Sequence, residues 1–266
     1  MTLSCIQQPH EHLNAHLDQG ILTLAINRPK AKNALYGDLY LFIAKALDEA
    51  DQDKNVRVVI LRGADADFTA GNDMQDFMKF VQTPIEGKAG DTPPFVVLKS
   101  AARFSKPLIA AVRGVAIGIG VTILLHADLV YSDNTALFQI PFVSLGLSPE
   151  GASSKLLVQQ AGYHQAAALL LTAQKFDSET AVAAGIVNSI EEDVYAHAHR
   201  QAAHLAALPL ASLKQTKALM KHNLAEIVDC IDEEAVIFMQ RVAQPEMMEA
   251  VSAFMQKRKP DFSQFN

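Results

Sequence analysis

The stretch "KPLIAAVRGVAIGIG", residues 106–120, joins a short apolar run to a cluster of glycines. Its first part, 106–114, is typical of a buried strand that ends at a glycine. The same design occurs in "VRVVILRG" (56–63) and in "ADLVYSD" (127–133). Helices fit between these runs, so strands and helices are predicted to alternate over the first two thirds of the chain. This alternation indicates an α/β fold.

The residues nearer the N-terminus extend this pattern. "GILTLAIN" (20–27) predicts a strand, and the proline at position 29 marks its end. The next apolar residues recur at spacings of four, three and four, which predicts an amphipathic helix over 36–52. These residues are Leu35, Leu39, Phe42 and Ala46.

The sequence after about residue 190 has a helical pattern, including a long stretch from Ala225 to Lys259. We therefore predict an α/β core over 1–195 and a helical region over 196–266. Within the long stretch, apolar residues at spacings of four and three form a stripe that needs a cover. The α/β core, a neighbouring subunit or both could cover it, so the region is expected to serve oligomerisation. The stripe consists of Ile227, Ile231, Ala235, Phe238 and Val242.

The segment "TPIEGKAGDTPP" (83–94) is rich in glycine, proline and charged residues. Such a composition is typical of surface connections rather than of buried elements. We expect this segment to be the mobile loop of the fold.

Composition limits the classes of function. The 266 residues are 50% hydrophobic and 20% charged with a net charge of −6, so a packed core is expected and nucleic acid is not the expected main partner. Two cysteines fit a reducing compartment. Neither a signal peptide nor a long apolar run is present, which favours the cytoplasm and no membrane partner. The nine histidines lack any metal-binding motif, so no metal site is predicted.

The glycines at 118 and 120 invite comparison with dinucleotide-binding sequences. They match the first half of the pattern G-x-G-x-x-G, but Ile123 occupies the third glycine position. The motif also lies in the middle of the chain rather than in a first βαβ unit. No P-loop motif is present either, so a nucleotide cofactor is not predicted.

A second turn of the same kind lies in "DFTAGNDM" (67–74). A strand, a polar loop and a helix start follow one another there, which predicts free backbone N–H groups able to bind an anion or a polarised carbonyl oxygen. The alternative is a plain helix cap by Asn72 or Asp73. Together with the 113–120 turn, however, it could direct two N–H donors at one oxygen, as in an oxyanion hole.

These two turns, in this order and separation, resemble those of the crotonase superfamily, which includes enoyl-CoA hydratases and isomerases. The resemblance implies a spiral of ββα units with C-terminal helices, usually assembled as trimers or pairs of trimers. It also implies an acyl-CoA thioester as substrate, with coenzyme A as part of that substrate and no separate cofactor. The stretches that carry it are "NRPKAKNAL" (27–35), "VRVVILRGADADFTAGND" (56–73), residues 106–154 and "LLLTAQKFDSETAVAAGIVNSI" (169–190).

The resemblance also implies roles for individual residues. The oxyanion donors would be the backbone N–H groups of Asn72 and Ile119. The other residues that fall where the family binds its substrate are Ala31, Lys32, Ala34, Ala70, Gly71, Asp73, Gly118 and Phe142.

The carboxylates distinguish reactions within this family. Hydratases hold a water molecule between two glutamates, and the matching positions here are Thr122 and Phe142. The Δ3,Δ2-enoyl-CoA isomerases instead carry one glutamate in a later loop, and "LGLSPEGASS" (145–154) is similar to that loop. Glu150 is therefore predicted to shuttle the proton, with Phe138 and Phe142 as apolar walls that raise its proton affinity.

Other interpretations remain open at this point. Glu150 could be a solvated loop side chain, the chain could catalyse another crotonase-type reaction such as hydration or thioester hydrolysis, or it could bind CoA thioesters without turnover.

Overall fold

Nine strands in two sheets form the centre of the described part of the chain. A computed structural model describes residues 3–82 and 87–265, without the side chains of 79–82. The strands are β1 (Leu13–Asp18), β2 (Ile21–Ile26), β3 (Val58–Gly63), β4 (Leu108–Val112), β5 (Val115–Ile117), β6 (Leu129–Ser132), β7 (Leu137–Gln139), β8 (Lys175–Asp177) and β9 (Ser189–Ile190). All four predicted strands are confirmed.

The larger sheet has the order β1-β2-β3-β4-β6-β9. Its first two strands form an antiparallel hairpin, whereas every later pair is parallel. The smaller sheet has the order β5-β7-β8. Parallel strands need crossover connections, which explains why helices separate the apolar runs of the sequence.

The helices are α1 (Ser4–Gln7), α2 (Gly37–Gln52), α3 (Met74–Gln82), α4 (Pro93–Arg103), α5 (Ile119–Thr122), α6 (Ser153–Ala161), α7 (Tyr163–Thr172), α8 (Ser178–Ala183), α9 (Val194–Ala207), α10 (Leu210–Met220), α11 (Leu224–Val242) and α12 (Pro245–Met255). The predicted amphipathic helix over 36–52 corresponds to α2.

The chain passes repeatedly from the larger sheet to the smaller sheet and then into helices. β4 is followed by β5 and α5, and β6 is followed by β7, α6 and α7. After β3, Thr69 forms a single bridge to Ala116 of β5 before α3 begins. Each repeat is thus a ββα unit, as predicted. In each repeat the strand or bridge of the smaller sheet is followed by the start of a helix.

Both faces of the larger sheet are covered. Helices α2, α4 and α11 contribute to the main core on one face. The other face buries alternate strand residues, including Val58, Ile60 and Ile109, against Val194 and Ala198 of α9. The predicted division between 195 and 196 therefore falls inside α9, a helix that packs on the sheet. The division into core and C-terminal region stays a prediction.

The C-terminal helices differ from the prediction at one point. The stretch from Ala225 to Lys259 is two helices rather than one, because α12 begins at Pro245. A proline disfavours helical backbone in the residue before it, and Gln244 is extended, with φ −87° and ψ 153°. All five residues of the apolar stripe are buried against this chain's own core, where α11 packs on α4.

The predicted mobile loop lies partly outside the described residues, since 83–86 are not among them. Its second half contains a 3₁₀ turn at Ala89–Asp91 and the first two residues of α4. Among the described residues no helix is both long and apolar enough to cross a bilayer.

Candidate active site

The first glycine turn is shaped by the loop "NRPKAKNAL". Leu35 donates its N–H to the carbonyl oxygen of Gly71 at 2.8 Å, and Asp73 donates to the carbonyl oxygen of Leu35 at 2.7 Å. In this parallel bridge the intervening residue, Asn72, keeps its N–H free. The pairing of this turn with the loop around Leu35 therefore leaves the N–H of Asn72 available.

The second glycine turn lies directly against the first. A methyl group on Gly71 would lie 2.5 Å from the carbonyl oxygen of Ile117, and one on Gly120 would lie 2.7 Å from Cγ2 of Thr69. A larger residue at Gly71 would require the backbone of Ile117 to shift, and one at Gly120 would require the buried side chain of Thr69 to move. Gly118, the residue between β5 and the short helix α5, has φ +58° and ψ −119°, a conformation that suits glycine.

The N–H groups of Asn72 and Ile119 have no hydrogen-bond partner among the described residues. Each belongs to a turn that starts a helix, where orphan donors are expected. The helix-cap alternative holds as well, because Oδ1 of Asp73 accepts from the N–H groups of Gln75 and Asp76 at 2.9 and 3.1 Å. Asp73 therefore caps α3 while Asn72 leaves its own donor unused.

A cavity of about 500 Å³ opens beside the two turns. Most of its walls are apolar, and Phe77, Leu145, Phe238, Met247 and Val251 form much of them. The predicted site residues that line it are Ala34, Ala70, Gly71, Asn72, Asp73, Gly118, Ile119 and Phe142. The described residues that line it do not include Ala31, Lys32 or Glu150.

Ala31 and Lys32 lie in the loop that supports the first turn. Lys32 is exposed, and its carbonyl oxygen accepts the N–H of Ala70 at 2.9 Å. In the same loop, Arg28 donates to Oδ2 of Asp73 at 2.6 Å. This ion pair and the cap on α3 hold the pKa of Asp73 below its usual value, against the effect of burial.

Glu150 is not a solvated side chain. It is 4% exposed, and Oε1 accepts one hydrogen bond, from the hydroxyl of Thr122 at 2.5 Å. Its other oxygen, Oε2, has no partner among the described residues. Burial raises the pKa of Glu150 to about 8, because one hydrogen bond does not replace the solvation of a carboxylate.

Thr122 connects Glu150 to the helix of the second turn, and Tyr40 contacts the first turn. Thr122 lies three residues after Ile119 in α5, and it is fully buried. The phenol of Tyr40, on α2, donates to Oδ1 of Asn72. Burial and then the charge of Glu150 raise the pKa of this phenol well above its usual value.

Sequence reasoning missed the roles of these two residues. The sequence signal that could have identified Tyr40 is its phenol hydroxyl, which lies next to the apolar stripe of the helix predicted over 36–52. From the sequence, Thr122 was identified only as the residue at a position where hydratases carry a glutamate. The structure shows that its hydroxyl donates a hydrogen bond to Glu150.

The two phenylalanines predicted as walls differ in position. Phe142 lines the cavity and meets Phe238 edge-on, with ring centroids 6.1 Å apart. Phe138 does not line it, and instead stacks on Phe176 at 5.5 Å inside the core. Only Phe142 can therefore contact a molecule in the cavity directly.

Within the described part of the chain, no group of three or more histidine, cysteine, aspartate or glutamate residues could hold a metal ion. His197, one of the histidines with a close neighbour in sequence, lies 3.0 Å from Glu191 and packs against the ring of Tyr131.

Gly71→Ala is expected to destabilise the protein by about 2–3 kcal/mol. Alanine is strained at φ +84°, and its methyl group would meet the carbonyl oxygen of Ile117. Urea unfolding would measure the loss. Gly185→Ala is the control, since φ there is +72° but the closest contact would be an ordinary 3.7 Å. Equal losses in the two variants would contradict the proposed contact between the turns.

The sequence of this chain is similar to those of known acyl-CoA enzymes. The family model described as enoyl-CoA hydratase/isomerase matches residues 16–265. The 2,3-dehydroadipyl-CoA hydratase of Escherichia coli K12 is 30% identical over 247 residues, 92% of this chain and 95% of that protein. Human enoyl-CoA delta isomerase 2 is 31% identical over 248 residues, 91% of this chain and 62% of the human protein.

Solved structures show the same similarity. A crystal structure of an Acinetobacter baumannii protein assigned to the enoyl-CoA hydratases/isomerases has 75% identity and a TM-score of 0.90. The alignment covers 92% of this chain and 99% of that one. The relatives thus include both hydratases and isomerases, and similarity alone does not choose between the two reactions.

Proposed function

The chain belongs to the enoyl-CoA hydratase/isomerase family, and we propose that within it the protein is a Δ3,Δ2-enoyl-CoA isomerase. In this proposal Glu150 moves a proton from C2 to C4 of an acyl-CoA thioester. The N–H groups of Asn72 and Ile119 bind the thioester oxygen. Crotonase-type acyl-CoA chemistry follows from the family, whereas the choice of isomerisation rests on the site.

The observation that carries the proposal is the environment of Glu150. A buried carboxyl with one hydrogen bond and a pKa of about 8 can both accept and return a proton near neutral pH. It accepts a hydrogen bond from Thr122, in the helix that begins at the second donor turn, and its charge acts on Tyr40, which donates to Asn72 of the first.

The proposed reaction needs one acid–base group and one oxyanion site. Removal of the C2 proton by ionised Glu150 sends the electron pair onto the thioester oxygen, giving a dienolate. Two backbone donors at that oxygen would stabilise the developing charge, and each such donor is worth roughly 10²–10³ in rate. Return of the same proton to C4 then leaves the double bond at C2–C3 and Glu150 ionised again.

The residues at the hydratase positions argue against hydration. Thr122 cannot act as a general base, and its hydroxyl is already engaged with Glu150. Phe142 presents an aromatic ring to the cavity. Neither side chain can activate a water molecule in the way that a glutamate would.

Access to Glu150 is part of the proposal. Glu150 is not among the residues that line the cavity, so the proposal requires cavity side chains to move and expose its carboxyl when the acyl chain binds. Phe142 and Phe77 are candidates, because both line the cavity close to the donor turns. Catalytic groups that become accessible only in the substrate complex are common.

Incubation with a series of 3-enoyl-CoA substrates tests the function. We expect the absorbance of the conjugated 2-enoyl thioester to appear while the mass of the substrate stays unchanged. A mass gain of one water would indicate hydration, and free coenzyme A would indicate hydrolysis. Tight binding without any product over all chain lengths would support a non-catalytic binding protein, and each of these results would contradict the isomerase.

A further inference from the structure

A second buried carboxylate interacts with Glu150 through its charge. Glu234, on α11, is 7% exposed and shares the inward face of that helix with Ile231 and Phe238. Its Oε1 accepts from the N–H and the hydroxyl of Ser154 at 3.0 and 2.5 Å. Such a residue is unexpected on an apolar helix face, because a buried carboxylate must be stabilised by hydrogen bonds.

Ser154 belongs to the first turn of α6, directly after the turn that carries Glu150. The cap residue of α6, Ala152, provides no side-chain cap and has a positive φ of 58°. Glu234 therefore supplies from α11 the cap that α6 lacks, and a negative charge at a helix N-terminus is favourable. The backbone from Glu150 to Ser154 is held at its far end by this contact.

The two carboxylates also interact through their charges. The negative charge of Glu234 contributes to the raised pKa of Glu150, after the larger effect of burial. Burial also raises the pKa of Glu234, but the Ser154 donors and the thiol of Cys230, 3.8 Å away, oppose that effect. Glu150 has a single donor, so Glu234 is the better site for the negative charge of the pair.

We propose that Glu234 is a positioning residue for the reaction: it caps α6, holds the turn that carries Glu150, and places a second negative charge beside that carboxyl. The inference rests on the isomerase function proposed above. We assign Glu234 no step on the substrate, because its Oε1 is held by the N–H and the hydroxyl of Ser154 and the proposed reaction already has its base in Glu150. Glu234 acts through Glu150.

Three helices of the described structure contribute polar groups that interact with Glu150 by a hydrogen bond or by charge. They are Tyr40 of α2, Thr122 of α5 and Glu234 of α11. Of these, only Glu234 bears a negative charge that a nearly isosteric substitution can remove. Glu234→Gln retains an oxygen that can accept from Ser154, whereas the charge next to Glu150 is lost.

Steady-state kinetics of Glu234→Gln over a range of pH tests the proposal. We expect kcat to fall about tenfold, because small displacements of a catalytic group are costly, while KM stays within about twofold. The lower midpoint of the pH profile should move to lower pH, since Glu150 ionises more easily without the neighbouring charge. Glu233→Gln, an exposed site on the same helix, is the control and should match the wild type.

A second readout does not depend on catalysis. The infrared band of the protonated Glu150 carboxyl, identified by its loss in Glu150→Gln, can be titrated in wild type and in Glu234→Gln. An unchanged midpoint in this titration would overturn the proposal. If the wild type lacks isomerase activity while the band titrates at lower pH in Glu234→Gln, the proposed function fails but the coupling of the carboxyls is confirmed.

Ser154→Ala separates the cap from the charge, and it also serves if Glu234→Gln does not fold. It removes the hydroxyl donor to Glu234 but leaves the carboxylate in place. We expect kcat to fall about threefold, with little change in the pH midpoint. A wild-type kcat in this variant would overturn the positioning role.

Discussion

Glu150→Gln is expected to lower the kcat of isomerisation by about 10³–10⁴-fold, the upper range for loss of a general acid–base group. Glutamine has nearly the same shape and can still accept the hydroxyl of Thr122 through its amide oxygen. It cannot take a proton from C2, however, and the mechanism described above provides no other base. Stopped assays with a 3-enoyl-CoA and mass detection of the product would measure the residual rate.

The pH profile of the wild type provides an internal check on this result. With a pKa of about 8, only about one tenth of the molecules carry an ionised Glu150 at pH 7. The value of kcat/KM should therefore rise with pH and reach half of its maximum near pH 8. The Glu150→Gln variant should lose this dependence together with the activity.

Binding measurements show whether Glu150→Gln loses only catalysis and keeps its affinity for acyl-CoA. Glu150 does not line the cavity, so Glu150→Gln should bind a saturated acyl-CoA with an affinity close to that of the wild type. Glu233→Gln should retain full activity. If Glu150→Gln binds normally and also keeps wild-type turnover, then Glu150 is not the proton shuttle and the proposed function is wrong.

Glu150 should also make the stability of the fold depend on pH. We expect the free energy of unfolding of the wild type, relative to Glu150→Gln, to fall by roughly 3–5 kcal/mol between pH 4.5 and pH 9. In a protein of this size such a change corresponds to about 10 °C in Tm.

The sign follows from the raised pKa. Between the ordinary value of 4.5 and about 8, the folded protein keeps the proton on Glu150 while the unfolded chain releases it. The folded state therefore binds more protons in this window, and its stability decreases as pH rises. Above about pH 8 the full cost of an ionised buried carboxylate is present, and Glu150→Gln avoids it.

The difference between the two proteins is the quantity to measure. Burial lowers the pKa of His126 to about 3, so the wild type also loses stability as pH falls below 6.5. This second effect is present in both proteins and cancels in the difference. Urea unfolding at several pH values would give the curve, with Glu233→Gln following the wild type. A difference that stays constant from pH 4.5 to pH 9 would contradict the buried, protonated carboxyl.

The sequence alone determined the order of elements and the two turns. Apolar runs predicted the strands, because burial on both faces of a sheet requires consecutive apolar residues. The glycines of the turns were equally informative. Gly71 and Gly118 have positive φ, which favours glycine, and Gly120 packs so closely on Thr69 that a side chain would not fit without a shift. These features depend on local backbone geometry and periodic burial, which leave a direct pattern in the amino-acid order.

The tertiary structure alone decided what surrounds Glu150. Thr122 is 28 residues earlier in the chain and Glu234 is 84 residues later, yet one donates to the carboxyl and the other adds charge beside it. A raised pKa depends on which atoms replace water around a group, and sequence spacing does not specify them. The helix break at Pro245 left a visible signal, whereas the pairing of Glu234 with Ser154 left none. Hydrogen bonds and charges act across space between elements that the fold brings together, so only the folded chain shows them.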